Sequence, residues 1–109
     1  MSKPISDKPI VKSLVELCHL HGVEQVILSP GSRNAPLIIS FTGCEKFECL
    51  SITDERSAGY FALGLARETY KPVALVCTSG TAALNYAPAV AEAYYQQIPL
   101  VVITADRPK

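Results

Sequence analysis

The sequence has no charge of either sign to spare: lysine and arginine number ten, aspartate and glutamate number ten, and the formal net charge is zero. A chain so balanced lacks the basic stripe that binds nucleic acid or an anionic membrane, and any anion site must be local. It also has no apolar run approaching the ~20 residues that a membrane helix needs. Residues 1–12 are polar and proline-punctuated, not a basic stretch followed by an apolar one. The expectation is a cytoplasmic protein with neither nucleic acid nor membrane as partner. The four cysteines, Cys18, Cys44, Cys49 and Cys77, stand 26, 5 and 28 apart. That spacing contains no CxxC zinc pattern and no dense disulfide framework, so they read as reduced thiols.

What is present is a chain of 109 residues, 49% apolar and 18% charged, enough for one compact core. It stops at Lys109, just past an Arg-Pro pair that follows a strongly apolar run. Domains usually finish on a docked helix or an exposed tail, so a fragment of something longer is expected.

Val11, Leu14, Val15 and Cys18 recur at helical spacing, and His21-Gly22 suits the turn past a helix end. Residues 25–28 are a short apolar run, stopped by Ser29-Pro30-Gly31, and read as a buried strand; 35–42 make a short helix. Residues 47–52 alternate and end at Thr53-Asp54, two good helix N-caps, before a helix over 55–70. That helix carries Ala58, Phe61, Ala62 and Leu65 on one stripe and Gly59, Leu63, Gly64 and Ala66 on the other. Small and apolar on most sides, it is expected to lie deep, with both glycines marking close neighbours. Residues 73–77 form a third strand, 79–95 a third long helix and 100–104 a fourth strand. Near-continuous apolar strands alternating with helices predict an α/β open parallel sheet with helices on both faces. The strand order stays open.

In such sheets ligands bind beyond the carboxyl ends of the strands, which directs attention to four strand-to-helix junctions. In the first, residues 29–36, Ser32 and Arg33 sit in a glycine-proline turn leading into a helix. An arginine fork and a helix N-terminus suit a carboxylate, although a solvated surface turn capped by Ser32 or Asn34 fits the same spacing. In the second, Glu55 opens a helix, where most glutamates only complement the dipole. A functional Glu55 must face a dry cleft and share a proton with a bound heterocycle. In the third, Thr78-Ser79-Gly80-Thr81 lacks the lysine of a nucleotide P-loop and the glycine spacing of a dinucleotide fingerprint. Capping by Ser79 or Thr81 is as good a reading there as ligand contact. In the fourth, Asp106-Arg107 end a buried strand with a charge pair; Arg107 and Arg33 come from different strand ends and together suit a substrate with two carboxylates. His19 and His21 end a helix, where a cation favours the dipole, and neither reads as catalytic.

Taken in order, these stretches resemble the pyrimidine-binding domain of the thiamine-diphosphate-dependent enzymes. Within that family LSPGSRNAPL (28–37), TDERSAGYFALGLA (53–66), TSGTAALN (78–85) and ITADRP (103–108) look like the branch that serves menaquinone biosynthesis. Acetolactate synthases typically carry Pro-Gly at Thr81-Ala82 and Gly-Gln at Ala105-Asp106, and this sequence departs from them at both places. The resemblance implies that the whole chain, 1–109, is the N-terminal part of a pyrimidine-binding domain, incomplete at its C-terminus. It implies that Glu55 corresponds to the glutamate that hydrogen-bonds the aminopyrimidine and promotes its imino tautomer. Thr78, Ser79 and Gly80 correspond to cofactor-cleft lining, and Ser32, Arg33 and Arg107 to positions that hold isochorismate. The implied reaction decarboxylates 2-oxoglutarate and adds the succinyl unit to isochorismate. Thiamine diphosphate is the implied cofactor, with Mg2+ bound by a domain absent from this chain, because the family's Gly-Asp-Gly stretch does not occur in it. The family pairs domains of two subunits at each active site, so a homodimer or homotetramer is implied, and the 109-residue chain alone is expected to be inactive. Two rival readings remain: a thiamine-diphosphate 2-oxoacid enzyme with another acceptor, and a non-catalytic α/β assembly module.

Overall fold

A computed structural model describes residues 9–31 and 34–105. Helix α1 (Pro9–Leu20) leads to β1 (Gln25–Leu28), α2 (Ala35–Thr42), β2 (Glu48–Ser51) and α3 (Glu55–Thr69). These are followed by β3 (Val73–Cys77), α4 (Thr81–Leu84), α5 (Ala87–Gln96) and β4 (Leu100–Thr104). The strands form one parallel sheet in the order β2-β1-β3-β4.

That order follows from where each crossover travels. From β1 the chain moves through α2 to β2 on one side; from β2 it returns over β1 through α3 to β3 on the other. Right-handed crossovers running in opposite directions place their helices on opposite faces of the sheet. The core divides accordingly. Val26, Leu28, Ala74 and Val76 face α1 and α2, with Val11, Cys18, Leu37 and Phe41 packed on them. Ile27, Val73, Leu75 and Cys77 face α3 and the α4–α5 region, with Ala58, Ala62, Ala66 and Tyr86. Alternate residues of the same two strands therefore supply both halves, which is why β1 and β3 read as unbroken apolar runs. Phe41 and Phe47 meet edge to face, with ring centroids 5.1 Å apart, and anchor the first half.

Several sequence expectations change in three dimensions. Burial on both strand faces holds for the central β1 and β3, whereas β2 and β4 are edges of the described sheet and partly exposed. The strand expected over 47–52 is shorter, and Phe47 precedes it in the core. Helix α3 buries a row of small residues, Ala58, Gly59, Ala62 and Ala66, but leaves Tyr60 and Phe61 about half exposed. It lies against the sheet on one side only. Of its two glycines, only Gly59 marks a close approach: a Cβ there would stand 3.0 Å from Ala89 Cβ, whereas one at Gly64 would meet nothing within 4 Å. The single helix expected over 79–95 is two helices, broken at Asn85-Tyr86. Pro88 explains the break, since its ring removes the amide that would bond back to Leu84 and crowds that carbonyl. Pro88 sits instead in the first turn of α5, where the missing donor costs nothing.

All four cysteines are free thiols, Cys18 and Cys77 buried and the other two partly so. No helix of the described residues is long and apolar enough to cross a membrane.

Candidate functional site

The crossovers leaving β1 toward β2 and leaving β3 toward β4 run in opposite directions, so the sheet has its switch point between β1 and β3, where a crevice lies at the carboxyl ends of these two strands. The site is assembled from their end residues. Ser29 follows β1, and its three polar groups stitch the junctions together. Its N–H donates to the Val76 carbonyl at 2.9 Å, its hydroxyl donates to the Ile52 carbonyl at 2.7 Å, and its own carbonyl accepts from Asn34 Nδ2 at 3.0 Å. Asn34 is fully buried, and its Oδ1 accepts from the Gly31 N–H at 2.8 Å. Its side chain thus closes the β1–α2 loop on itself and does not cap α2, where no side-chain cap bond forms.

Gly31 fits because nothing larger does. A Cβ built there would come within 2.9 Å of Thr78 Cβ and 3.0 Å of Thr78 Cγ2. The first and third junctions therefore touch directly across the crevice. At the fourth, the Ala105 N–H donates to the Cys77 carbonyl at 3.0 Å, so the end of β4 lies beside the end of β3.

The second junction delivers Glu55. Asp54 is the N-cap of α3: its carboxylate accepts from the Ser57 N–H at 3.0 Å and the Ser57 hydroxyl at 2.7 Å. Those hydrogen bonds hold Asp54 below the usual carboxylate range. With Asp54 occupied in capping, Glu55 is free to reach the crevice from the first position of the helix, half-buried. Its charge is felt by Cys77 and Tyr86, two groups at the floor of the crevice.

Among the residues named from the sequence, the structure brings Glu55 and Thr78 to this end of the sheet, with Ser79 half-buried and Gly80 exposed beside them. Gly80, with φ of 78°, occupies the N-cap position of α4 without a side-chain cap bond, so neither Ser79 nor Thr81 caps that helix as expected. A Cβ at Gly80 would meet nothing within 4 Å, leaving open space over its backbone. Ser32, Arg33 and Arg107 lie outside the described residues. Sequence reasoning set Ser29 in the first junction without a role of its own and missed Cys77 and Tyr86. Nothing in their spacing marks them, because Cys77 reads as a strand end and Tyr86 as one of three tyrosines in an apolar stretch.

Depressions at the other end of the sheet, such as the one lined by Glu24, Gln25, Glu48, Thr69, Lys71 and Pro72, face the amino ends of the strands. The ion pair there, Lys71 with Glu24 at 2.7 Å, is more than half exposed on both sides and belongs to the solvated surface.

A parallel sheet of this order, with its junctions gathered over the switch point and a half-buried glutamate opening α3, has the form of a ligand-binding α/β domain. Residues 10–109 match the family model for the thiamine pyrophosphate enzyme N-terminal TPP binding domain, and the chain belongs to that family. More particularly, it is 60% identical over 101 residues to the 2-succinyl-5-enolpyruvyl-6-hydroxy-3-cyclohexene-1-carboxylate synthase of Flavobacterium psychrophilum, covering 93% of this chain and 18% of that protein. It is 58% identical over 108 residues to the synthase of the same name from Porphyromonas gingivalis, covering 99% of this chain and 19% of that one. The chain thus spans about a fifth of the length of these relatives. The thiamine diphosphate-dependent 4-hydroxybenzoylformate decarboxylase of Rhodococcus jostii superposes with a TM-score of 0.82 at 20% identity, over 94% of this chain and 19% of that one. That likeness shows the shared fold.

Proposed function

We propose that this chain is the pyrimidine-binding part of a thiamine-diphosphate-dependent synthase that decarboxylates 2-oxoglutarate and adds the succinyl unit to isochorismate in menaquinone biosynthesis. The observation that carries the reading is the placement of Glu55: a half-buried carboxylate at the first position of α3, beside the switch-point crevice. The name borne by relatives at 58–60% identity supports the choice of reaction within the family.

The residues present fit an aminopyrimidine. Glu55 supplies an acceptor for a ring N–H and a site for the shared proton, and Thr78, Ser79 and Gly80 line the other wall, with open space over Gly80. Thiamine diphosphate, when bound, supplies the carbanion chemistry. The chain's own part is to orient the ring, to hold a proton at the Glu55 carboxylate and to keep Thr78 packed on Gly31 so that the wall does not move. Ser32, Arg33 and Arg107 are proposed to hold the carboxylates and hydroxyl of isochorismate, the arginine forks matching carboxylate geometry. Mg2+ and the diphosphate are assigned to a further domain, supplied by a second subunit of a homodimer or homotetramer. On this reading the 109-residue chain alone does not turn over substrate.

The test is to extend the chain along its own reading frame to the length of its relatives and to supply thiamine diphosphate, Mg2+, 2-oxoglutarate and isochorismate. Loss of isochorismate that collapses in Glu55→Gln is the expected result. Cofactor binding without consumption of isochorismate would replace the acceptor with another. Absence of cofactor binding by the folded protein would leave a non-catalytic module.

A further inference from the structure

Tyr86 carries a buried side-chain oxygen that has no hydrogen-bond partner among the described residues. The residue is 1% exposed and stands at the break between α4 and α5. Its ring lies against the first turns of α3, with Cδ1 3.6 Å from where a Gly59 Cβ would be, and packs in the core half that holds Ile27, Ala58 and Cys77. The polar groups beside its hydroxyl are those of Ser29 and Cys77, the residues at the ends of β1 and β3. Ser29 Oγ donates to the Ile52 carbonyl at 2.7 Å, and Cys77 Sγ donates to the Thr78 carbonyl at 3.1 Å, so neither has a hydrogen to give the phenol. As acceptors they lie near it, but no hydrogen bond from the phenol to either is formed.

The packing gives no reason for an oxygen here. Phenylalanine would fill the same space, and a buried hydroxyl without a partner is destabilising. Burial, with the Glu55 charge adding to it, holds the phenol well above its ordinary range, so it keeps its proton and remains a donor. Among the described residues, the Glu55 charge acts on both Tyr86 and Cys77. It enters from the first position of α3, one turn before the glycine against which the Tyr86 ring rests.

We infer that Tyr86 is a positioning residue for Glu55, its uncommitted hydroxyl donating to the Glu55 carboxylate when an occupant closes the crevice. That bond holds one carboxylate oxygen and leaves the other to face the occupant. The inference rests on the function proposed above, with the aminopyrimidine of thiamine diphosphate as occupant. A buried hydroxyl without a partner costs stability, and the bond made when the cofactor binds is expected to recover it.

The experiment compares Tyr86→Phe with the unsubstituted protein, in the extended chain with Mg2+. It reads the urea midpoint without cofactor, thiamine diphosphate affinity by calorimetry, and the circular-dichroism band of the bound aminopyrimidine, beside Glu55→Gln. The expected outcome is opposite signs: the cofactor-free midpoint of Tyr86→Phe rises, while its cofactor affinity falls about tenfold, the scale of one hydrogen bond to a charged group, and the band weakens. In a Glu55→Gln background the same change is expected to cost far less affinity, since the acceptor is no longer charged. A lower midpoint with unchanged affinity, or an insoluble Tyr86→Phe protein, would overturn the inference by showing that the hydroxyl holds up the fold. Full affinity and an unaltered band in Tyr86→Phe, beside a loss in Glu55→Gln, would remove the Tyr86 role and leave the proposed function standing. If the unsubstituted protein binds no thiamine diphosphate, both fall together.

Discussion

The hydroxyl of Ser29 donates to the carbonyl of Ile52 at 2.7 Å, joining the end of β1 to the turn that carries Glu55 into the crevice. The two residues are 23 positions apart, and the bond fixes the height of that turn over the central strand. Ser29→Ala leaves a carbonyl unpaired at a partly buried position, which is expected to destabilise by ~1–2 kcal/mol. Urea unfolding measures that loss. On the function proposed here, activity falls further than stability alone explains, because the Glu55 turn loses its tether. Activity that tracks only the folded fraction would contradict this.

Gly31 and Thr78 form a second close pair. Gly31→Ala drives a methyl group to within 2.9 Å of Thr78 Cβ, and is expected to cost about 1–3 kcal/mol as overpacking between two backbone-anchored atoms. Adding Thr78→Gly removes the opposing atoms, so the double variant is expected to be more stable than the sum of the two single changes. A double-mutant cycle in urea reads the coupling directly, and strict additivity would show that the loops move apart freely.

Asp54 ties stability to acid pH. Its carboxyl is held below the ordinary value of 3.8 by the hydrogen bonds from Ser57. Between its folded and unfolded values the unfolded chain binds more protons, so stability from this group rises with pH. The contribution is complete above the ordinary aspartate range and is lost as pH falls through it toward the lowered folded value. Asp54→Asn keeps a side-chain acceptor for the helix N-cap but removes the proton. The slope of urea midpoint against pH on the acid limb is therefore expected to flatten in Asp54→Asn, with the neutral-pH midpoint lowered by the small contribution the ionised carboxylate makes there.

The thiols report local opening. Burial raises the Cys18 and Cys77 thiols above their ordinary range, and both side chains are out of solvent. Their reaction with an aromatic disulfide reagent is expected to follow global unfolding, with a rate that scales with the unfolded fraction in urea. A fast phase assigned by mass spectrometry to Cys77 would instead show that the floor of the crevice opens on its own.

Local chemistry marked most of the elements before any fold was available. Four-residue and five-residue apolar runs at 25–28, 73–77 and 100–104 coincide with β1, β3 and β4, because β-branched residues between turn-forming ones have few other conformations open to them. Asp54 was readable as an N-cap for the same reason: the capping bond spans three residues. Glu55, Thr78, Ser79 and Gly80 were readable as candidates because a parallel sheet places every strand-to-helix junction at one end. Pro88 is a local breaker within 79–95, and the strong apolar period of that stretch masks it.

Tertiary structure decided the rest. Strand order is set by the direction of each crossover, which no local pattern encodes, and it alone places the crevice between β1 and β3. The exposure of Tyr60 and Phe61 on α3 depends on what packs beside that helix, since hydrophobic periodicity shows a stripe but not its neighbour. The role of Ser29 arises from hydrogen bonds to Ile52 and Val76, distant in sequence, and the burial of Asn34, Cys77 and Tyr86 beside it depends on the same packing. A serine just past a strand and a tyrosine between two helices have ordinary sequence neighbours; only the fold sets the serine against Ile52 and buries the tyrosine hydroxyl with no partner among the described residues.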